Sequence, residues 1–204
     1  MSPRPYRLGQ RQAATDRTRA RIIDAARELL ASDRGFAGFS LEAVAREADV
    51  ARVTVYNQFR SKVGLLEAVF DGIAARGGLG QLPAVFSVPD PMQAIDAYVA
   101  TFCRFWASDQ VAIGRVRAAA VLDPELQMAL QARDERRRRA LSVLLTRLST
   151  AQGKPPPDAM DAAVDVLVAL TSFDTFDQLS QARPPEGVEA LLRQTVRKVL
   201  DVQE

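Results

Sequence analysis

Arg52, Val53, Tyr56 and Asn57 recur at i, i+1, i+4 and i+5, the spacing of one helix face, inside the stretch ADVARVTVYNQFRSK at 48–62. Val55 and Phe59, four residues apart, mark the opposite stripe. A guanidinium and a carboxamide are hydrogen-bonding forks, a phenol carries a hydroxyl on a rigid ring, and valine offers methyl groups. Such a set is suited to contact. Catalytic chemistry has little to draw on elsewhere. The chain has no histidine, which removes the commonest metal ligand, the commonest general base and any Ser-His-Asp or Cys-His pair. Carboxylate pairs fall on amphipathic helices. GGLG at 77–80 lacks the preceding strand and following Lys-Ser/Thr of a phosphate loop. The reading is of no catalytic residue, no metal and no cofactor. A helical enzyme or small-molecule carrier that keeps its short helices for packing alone stays open as an alternative.

The elements that must hold this face follow from composition and periodicity. A chain of 204 residues, 48% hydrophobic and sparse in glycine, forms one large domain or two small ones and favours helix. The net charge is +2, but residues 1–77 hold 13 Lys/Arg against 9 Asp/Glu, and Arg4, Arg7 and Arg11 precede any acid. A basic amino end on a near-neutral body fits an anionic partner or a solvated tail. The lone Cys103 excludes an internal disulfide and fits a reducing cytoplasm. No apolar run follows the first arginines, and no stretch reaches the roughly 20 apolar residues of a membrane span, so no membrane partner is expected.

Apolar residues at helical spacing predict an all-α chain of about nine helices. These lie near 16–32, 41–48, 51–58, 62–75, 91–107, 109–121, 124–149, 158–181 and 187–202. Residues 78–90 form a long irregular connector. Ser40 and Ser61 are N-caps, and Pro91 and Asp123-Pro124 are helix starts. The pair 41–48 and 51–58, joined by about three residues, is a helix-turn-helix, in which the second helix enters the DNA major groove.

The segment 18–73 resembles the amino-terminal domain of the TetR family of bacterial transcriptional regulators. Ala25-Ala26, Gly38-Phe39-Ser40, Val44-Ala45, Thr54-Val55-Tyr56, Phe59 and Ser61-Lys62 carry the likeness. It departs from the family pattern at Asp49 (usually Gly), Ala51 (often Ser or Thr), Gln58 (often His) and Val63 (often Glu). The resemblance implies a homodimer that binds a palindromic operator through residues 1–77. Residues 78–204 would form the effector-binding and dimerisation domain, pairing through the helices at 158–181 and 187–202. Most relatives repress and leave DNA on binding a small molecule. An activator, or a regulator that needs no ligand, has the same fold.

Within that frame Arg52 can donate a bidentate pair to guanine and Asn57 can pair with adenine or a phosphate. Val53 can meet a thymine methyl. Tyr56, Thr54, Lys62 and Ser40 suit phosphates, Lys62 and Ser40 at helix starts where backbone N–H groups also face the anion. The competing view is that Val53 and Tyr56 merely pack and Arg52 is merely solvated. Arg4, Arg7, Arg11 and Arg17 form either a minor-groove arm or a loose tail.

In the larger domain Tyr98, Phe102, Phe105 and Trp106 share a helix face with i, i+4, i+7 and i+8 spacing, and Phe173, Asp174, Phe176 and Met128 join them as candidate effector contacts. Such stripes also build plain core. As a pocket they point to a lipophilic or aromatic effector. The run Asp134–Arg139 reads as a solvated face with i, i+4 pairs rather than a second nucleic-acid site.

Overall fold

The computed structural model describes residues 4–153 and 160–201. Among these there is no strand, and eleven α-helices follow one another: α1 (Arg4–Ala31), α2 (Leu41–Glu47), α3 (Arg52–Phe59), α4 (Lys62–Arg76), α5 (Leu82–Val85), α6 (Pro91–Ser108), α7 (Gln110–Ala120), α8 (Pro124–Ala151), α9 (Met160–Leu170), α10 (Phe173–Ser180) and α11 (Pro185–Asp201). The all-helical class matches the sequence reading. The count differs from nine for two local reasons.

First, the connector at 78–90 is not wholly irregular. It holds a 3-10 turn, Leu79–Gln81, and the single-turn α5, which buries Val85. Arg147 of α8 fixes the following residues by donating to the Phe86 carbonyl at 3.0 Å and the Val88 carbonyl at 2.6 Å. Second, the helix expected at 158–181 is two helices, its first residues lying outside the described ones. Thr171 ends α9 by turning its hydroxyl back onto the Leu167 carbonyl at 2.8 Å. Ser172 then takes extended backbone and caps α10, accepting from the Thr175 N–H. Serine competes with helix continuation because its hydroxyl satisfies a first-turn donor.

A third difference concerns α1, which begins at Arg4, well before the expected start near Asp16. Pro5 falls in the first turn, where proline is tolerated, and no other breaker except Gly9 precedes Asp16. The side chains of Arg4, Arg7 and Arg11 lie outside the described residues. Arg17 is exposed. The last helix was expected to reach 202, which is also outside them.

The chain divides into two compact units. Residues 1–72 and 111–127 form one, and residues 73–110 and 128–204 form the other. This partition assigns α7 to the unit of the amino-terminal helices, whereas the sequence division falls at 77/78. In the first unit α1, α2 and α3 pack on one another around Ile22, Ala26, Leu30, Val44 and Val55, with Leu65, Leu66 and Val69 of α4 and Ile113 and Val116 of α7 equally buried. Each fully buried valine, leucine or isoleucine among them stabilises by about 1.5–3 kcal/mol. In the second unit α6 and α11 are the main partners, with α9 and α10 against α11. No helix among the described residues is long and apolar enough to cross a membrane.

Candidate nucleic-acid interface

The interface is built on two short helices. Ser40 caps α2, its Oγ accepting from the Ala43 N–H at 3.1 Å. Helix α2 buries Ala43, Val44 and Ala45. It ends in a reversal that explains how Asp49 is accommodated. Asp49 has φ +50°, the Val50 N–H reaches back to the Ala45 carbonyl at 2.9 Å, and the Asp49 N–H bonds to Arg46. This is the Schellman arrangement, whose left-handed position is normally glycine. Aspartate is among the few other residues that adopt it at modest cost. Ala51 then opens α3 without a side-chain cap, so the turn chemistry lies in the backbone.

Helix α3 is anchored by Val55 and Phe59, 0% and 6% exposed. Two further contacts fix its carboxyl end. The Arg19 guanidinium lies 4.4 Å from the centre of the Phe59 ring and donates to the Gln58 carbonyl at 3.1 Å. These join α1 to α3, and the sequence reading did not find them; the sequence signal was a basic residue one turn before the Ile22 stripe. Gly64 completes the next turn. A Cβ there would stand 2.3 Å from the Phe59 carbonyl oxygen, so α4 starts against the end of α3 only with glycine. Ser61 caps α4 by accepting from the Gly64 N–H at 3.0 Å.

The opposite face of α3 is open. Arg52, Val53, Tyr56 and Asn57 are all exposed, Val53 and Tyr56 by 61% and 52%. Two apolar-bodied side chains left this open in a helix that buries its other stripe are available for contact. Arg52 forms an ion pair with Glu42 of α2, Nε to Oε1 at 2.7 Å. Thr54 is half-buried. Lys62 is placed less freely than a phosphate contact would need. Its ammonium sits 3.8 Å from the Phe36 ring centre and 5.6 Å from Phe39. Burial pushes its pKa down, and the nearby Asp123 carboxylate partly opposes this. Asp123 itself caps α8, accepting from the Glu125 and Leu126 N–H groups. Arg115 of α7 closes the far end of α1 by donating to the Leu30 and Ser32 carbonyls.

The candidate effector residues divide by burial. Tyr98, Phe102, Phe105, Trp106, Phe173 and Phe176 are buried. Neighbouring rings along α6 pack at 4.4–6.4 Å between centres, and Trp106 meets Phe173 edge-on at 5.6 Å. Asp174 is exposed, as is Met128, so the structure does not bring these two into the ring cluster. A residue that the sequence reading placed on a solvated face does join it. Arg137 is 6% exposed. It donates to the Thr171 carbonyl at 3.2 Å and the Val168 carbonyl at 3.1 Å, beside the Phe102 and Trp106 rings. The Trp106 indole N–H reaches the same Thr171 carbonyl at 3.0 Å, and Tyr98 donates to the Arg137 carbonyl. Arg137 falls in heptad phase with the buried Leu130, Leu141 and Leu144, and that phase was the available signal. Its neighbour Arg138 keeps the expected surface character in an ion pair with Asp165.

A cleft of about 440 Å³ is lined by Cys103, Arg104, Ala107, Ser108, Pro185, Glu186 and Glu189. Burial, then the Glu189 charge, pushes the Cys103 thiol up to about 12, which leaves it unreactive at neutral pH.

A tight helix-turn-helix with a core stripe inside and a polar, aromatic face outside is the arrangement of a DNA-contacting motif. Residues 22–69 match the family described as bacterial regulatory proteins, tetR family. That segment contains the whole helix-turn-helix motif, α2 and α3 with the turn between them. Proteins of that family are DNA-binding transcription factors, not enzymes.

Solved structures share the fold over most of the chain. A TetR transcription regulator from Haloarcula marismortui is 17% identical, with a TM-score of 0.72 over 92% of this chain and 98% of its own. GusR of Salmonella enterica is 21% identical, with 0.69 over 90% and 95%. A transcriptional regulator from Rhodococcus sp. Rha1 is 20% identical, with 0.68 over 90% and 96%.

Proposed function

We propose that this regulator binds a palindromic operator as a homodimer, reads bases with Arg52, Val53 and Asn57, and represses until a lipophilic or aromatic effector releases it. The observation that carries the DNA part is the exposed 52/53/56/57 face on a helix whose other stripe is fully buried. Tyr56, Thr54, Ser40 and Lys62 supply phosphate contacts in this reading, Lys62 after leaving the Phe36 ring. Residues 1–77 are the DNA-binding part and 78–204 the effector and dimer part.

Dimerisation through α9–α10 and α11 is supported by Val166, 42% exposed, and by the exposed Ala162 and Ala169 on the same helix. Most of the α11 stripe is unavailable, because Val188, Leu192, Val196 and Leu200 are already buried in their own chain. The ring cluster around Trp106 is the proposed effector site, opened by the molecule that enters it. The close ring packing favours a second reading, a regulator of the same fold that needs no ligand.

A gel-shift titration on promoter DNA tests both parts. Tyr56→Ala weakens operator binding by about tenfold, the scale of one lost hydrogen bond to a charged group of about 1.5–3 kcal/mol, while the melting temperature stays unchanged. Affinity falls steeply with salt. Lipophilic aromatic compounds dissolve the preformed complex. Unaltered binding by Tyr56→Ala removes the Tyr56 phosphate contact from this reading, and a complex that resists every such compound favours the ligand-independent regulator.

A further inference from the structure

Glu42 and Arg52 are brought together by the helix-turn-helix itself. Glu42 is the second residue of α2 and Arg52 the first of α3. Their contact runs through the arginine Nε, 2.7 Å from Glu42 Oε1, with the side chains 69% and 56% exposed for Arg52 and Glu42. An ion pair this open adds little to stability. It does restrict which edge of the guanidinium remains available. A guanidinium meets guanine O6 and N7 with two parallel N–H groups. With Nε engaged, the side edge formed by Nε and one Nη is occupied. The end edge, formed by both Nη groups, is left for a base.

We propose that Glu42 is a positioning residue for operator specificity. It holds Arg52 so that the Nη1–Nη2 edge faces a guanine in each half-site, and it selects that base without touching DNA. The inference rests on the base-reading face proposed above and adds a residue of the other helix to it. A flexible arginine alone could swing to a phosphate, which carries no sequence information. The Glu42 carboxylate opposes that swing in two ways: it tethers Nε, and its own charge is repelled by the backbone.

The test is selection of bound duplexes from a random pool by the full-length protein and its variants, followed by affinity titrations on the selected site and on its single-base changes. Wild type enriches a symmetric site with a required guanine in each half. Arg52→Ala loses that requirement. Glu42→Ala lowers the guanine preference at the same position by roughly three- to tenfold, a partial loss of one bidentate pair, while affinity for unrelated duplex rises because a negative charge is gone.

Glu42→Gln keeps an acceptor oxygen at the same reach and retains most of the preference. Glu42→Ala placed on Arg52→Ala changes the preference no further. Thermal melting checks that each variant is folded. A guanine preference that survives Glu42→Ala overturns the proposal, as does a change in affinity by one common factor for every sequence, or Gln behaving like Ala. If Arg52→Ala leaves every base preference intact, or wild type enriches no site, the reading face beneath it fails as well.

Discussion

Asp49 shows how a single residue can carry a turn that its type does not favour. Its backbone is left-handed, φ +50°, at the position where the α2 carbonyls Ala45 and Arg46 are satisfied by the next two N–H groups. Replacing it with glycine removes Cβ strain, so Asp49→Gly is expected to stabilise the chain by about 0.5–1 kcal/mol and to raise the melting temperature by a few degrees, measured by thermal denaturation. A lower melting temperature would mean that the side chain itself holds the turn. The identity of this turn was legible in sequence, as were the Ser40 and Ser61 caps, because each depends on residues within three or four positions. Arg19 on the Phe59 ring was not, because it depends on the rotation of α1 against α3, which periodicity gives only to within a turn.

Helix ends show the same boundary between local and non-local information. Pro91 and Asp123-Pro124 start their helices where the sequence places them, and the Asp90 carboxylate adds a cap to the first, accepting from the Gln93 N–H. The break at Thr171–Ser172 was missed. Helical spacing continues across it, and the carbonyls it frees are satisfied from other helices by Trp106 and Arg137.

Arg137→Ala removes two charge-assisted bonds: the Thr171 carbonyl keeps the Trp106 N–H, and the Val168 carbonyl loses the guanidinium. It is expected to cost about 2–4 kcal/mol, read as a lower urea midpoint with an unchanged slope. The neighbouring Arg136 is exposed, and Arg136→Ala serves as the control, expected within about 0.5 kcal/mol of wild type. Equal stability of the two variants would show that the charge run is solvated throughout.

At the scale of the whole chain, the buried Asp96 carboxylate links folding to acid. Asp96 is 3% exposed and receives Arg197 through both oxygens, with Arg193 at 3.4 Å. Burial pushes the Asp96 carboxyl up, but the hydrogen bonds from Arg197 and Arg193 and their charges outweigh it and hold the group below the ordinary carboxylate range. A depressed folded pKa means that the unfolded chain takes up the proton first. The contribution is therefore complete above the unfolded value near pH 4 and is lost as pH falls through the folded value. Urea midpoints measured downward from pH 6 are expected to fall less steeply below pH 4 for Asp96→Asn than for wild type. Parallel curves would remove the role of this pair.

Trp106 is the only tryptophan in the 204 residues, and its indole N–H is tied to the carbonyl where α9 ends. The chain therefore carries its own optical label at one defined point. Its emission reports on the joint between α9 and α10 and on the rings around it, without interference from any other indole. A molecule entering that cluster, or a shift of α10, would alter the colour and intensity of that light before any loss of helix could be seen. The protein can thus be watched in plain solution, without an added label.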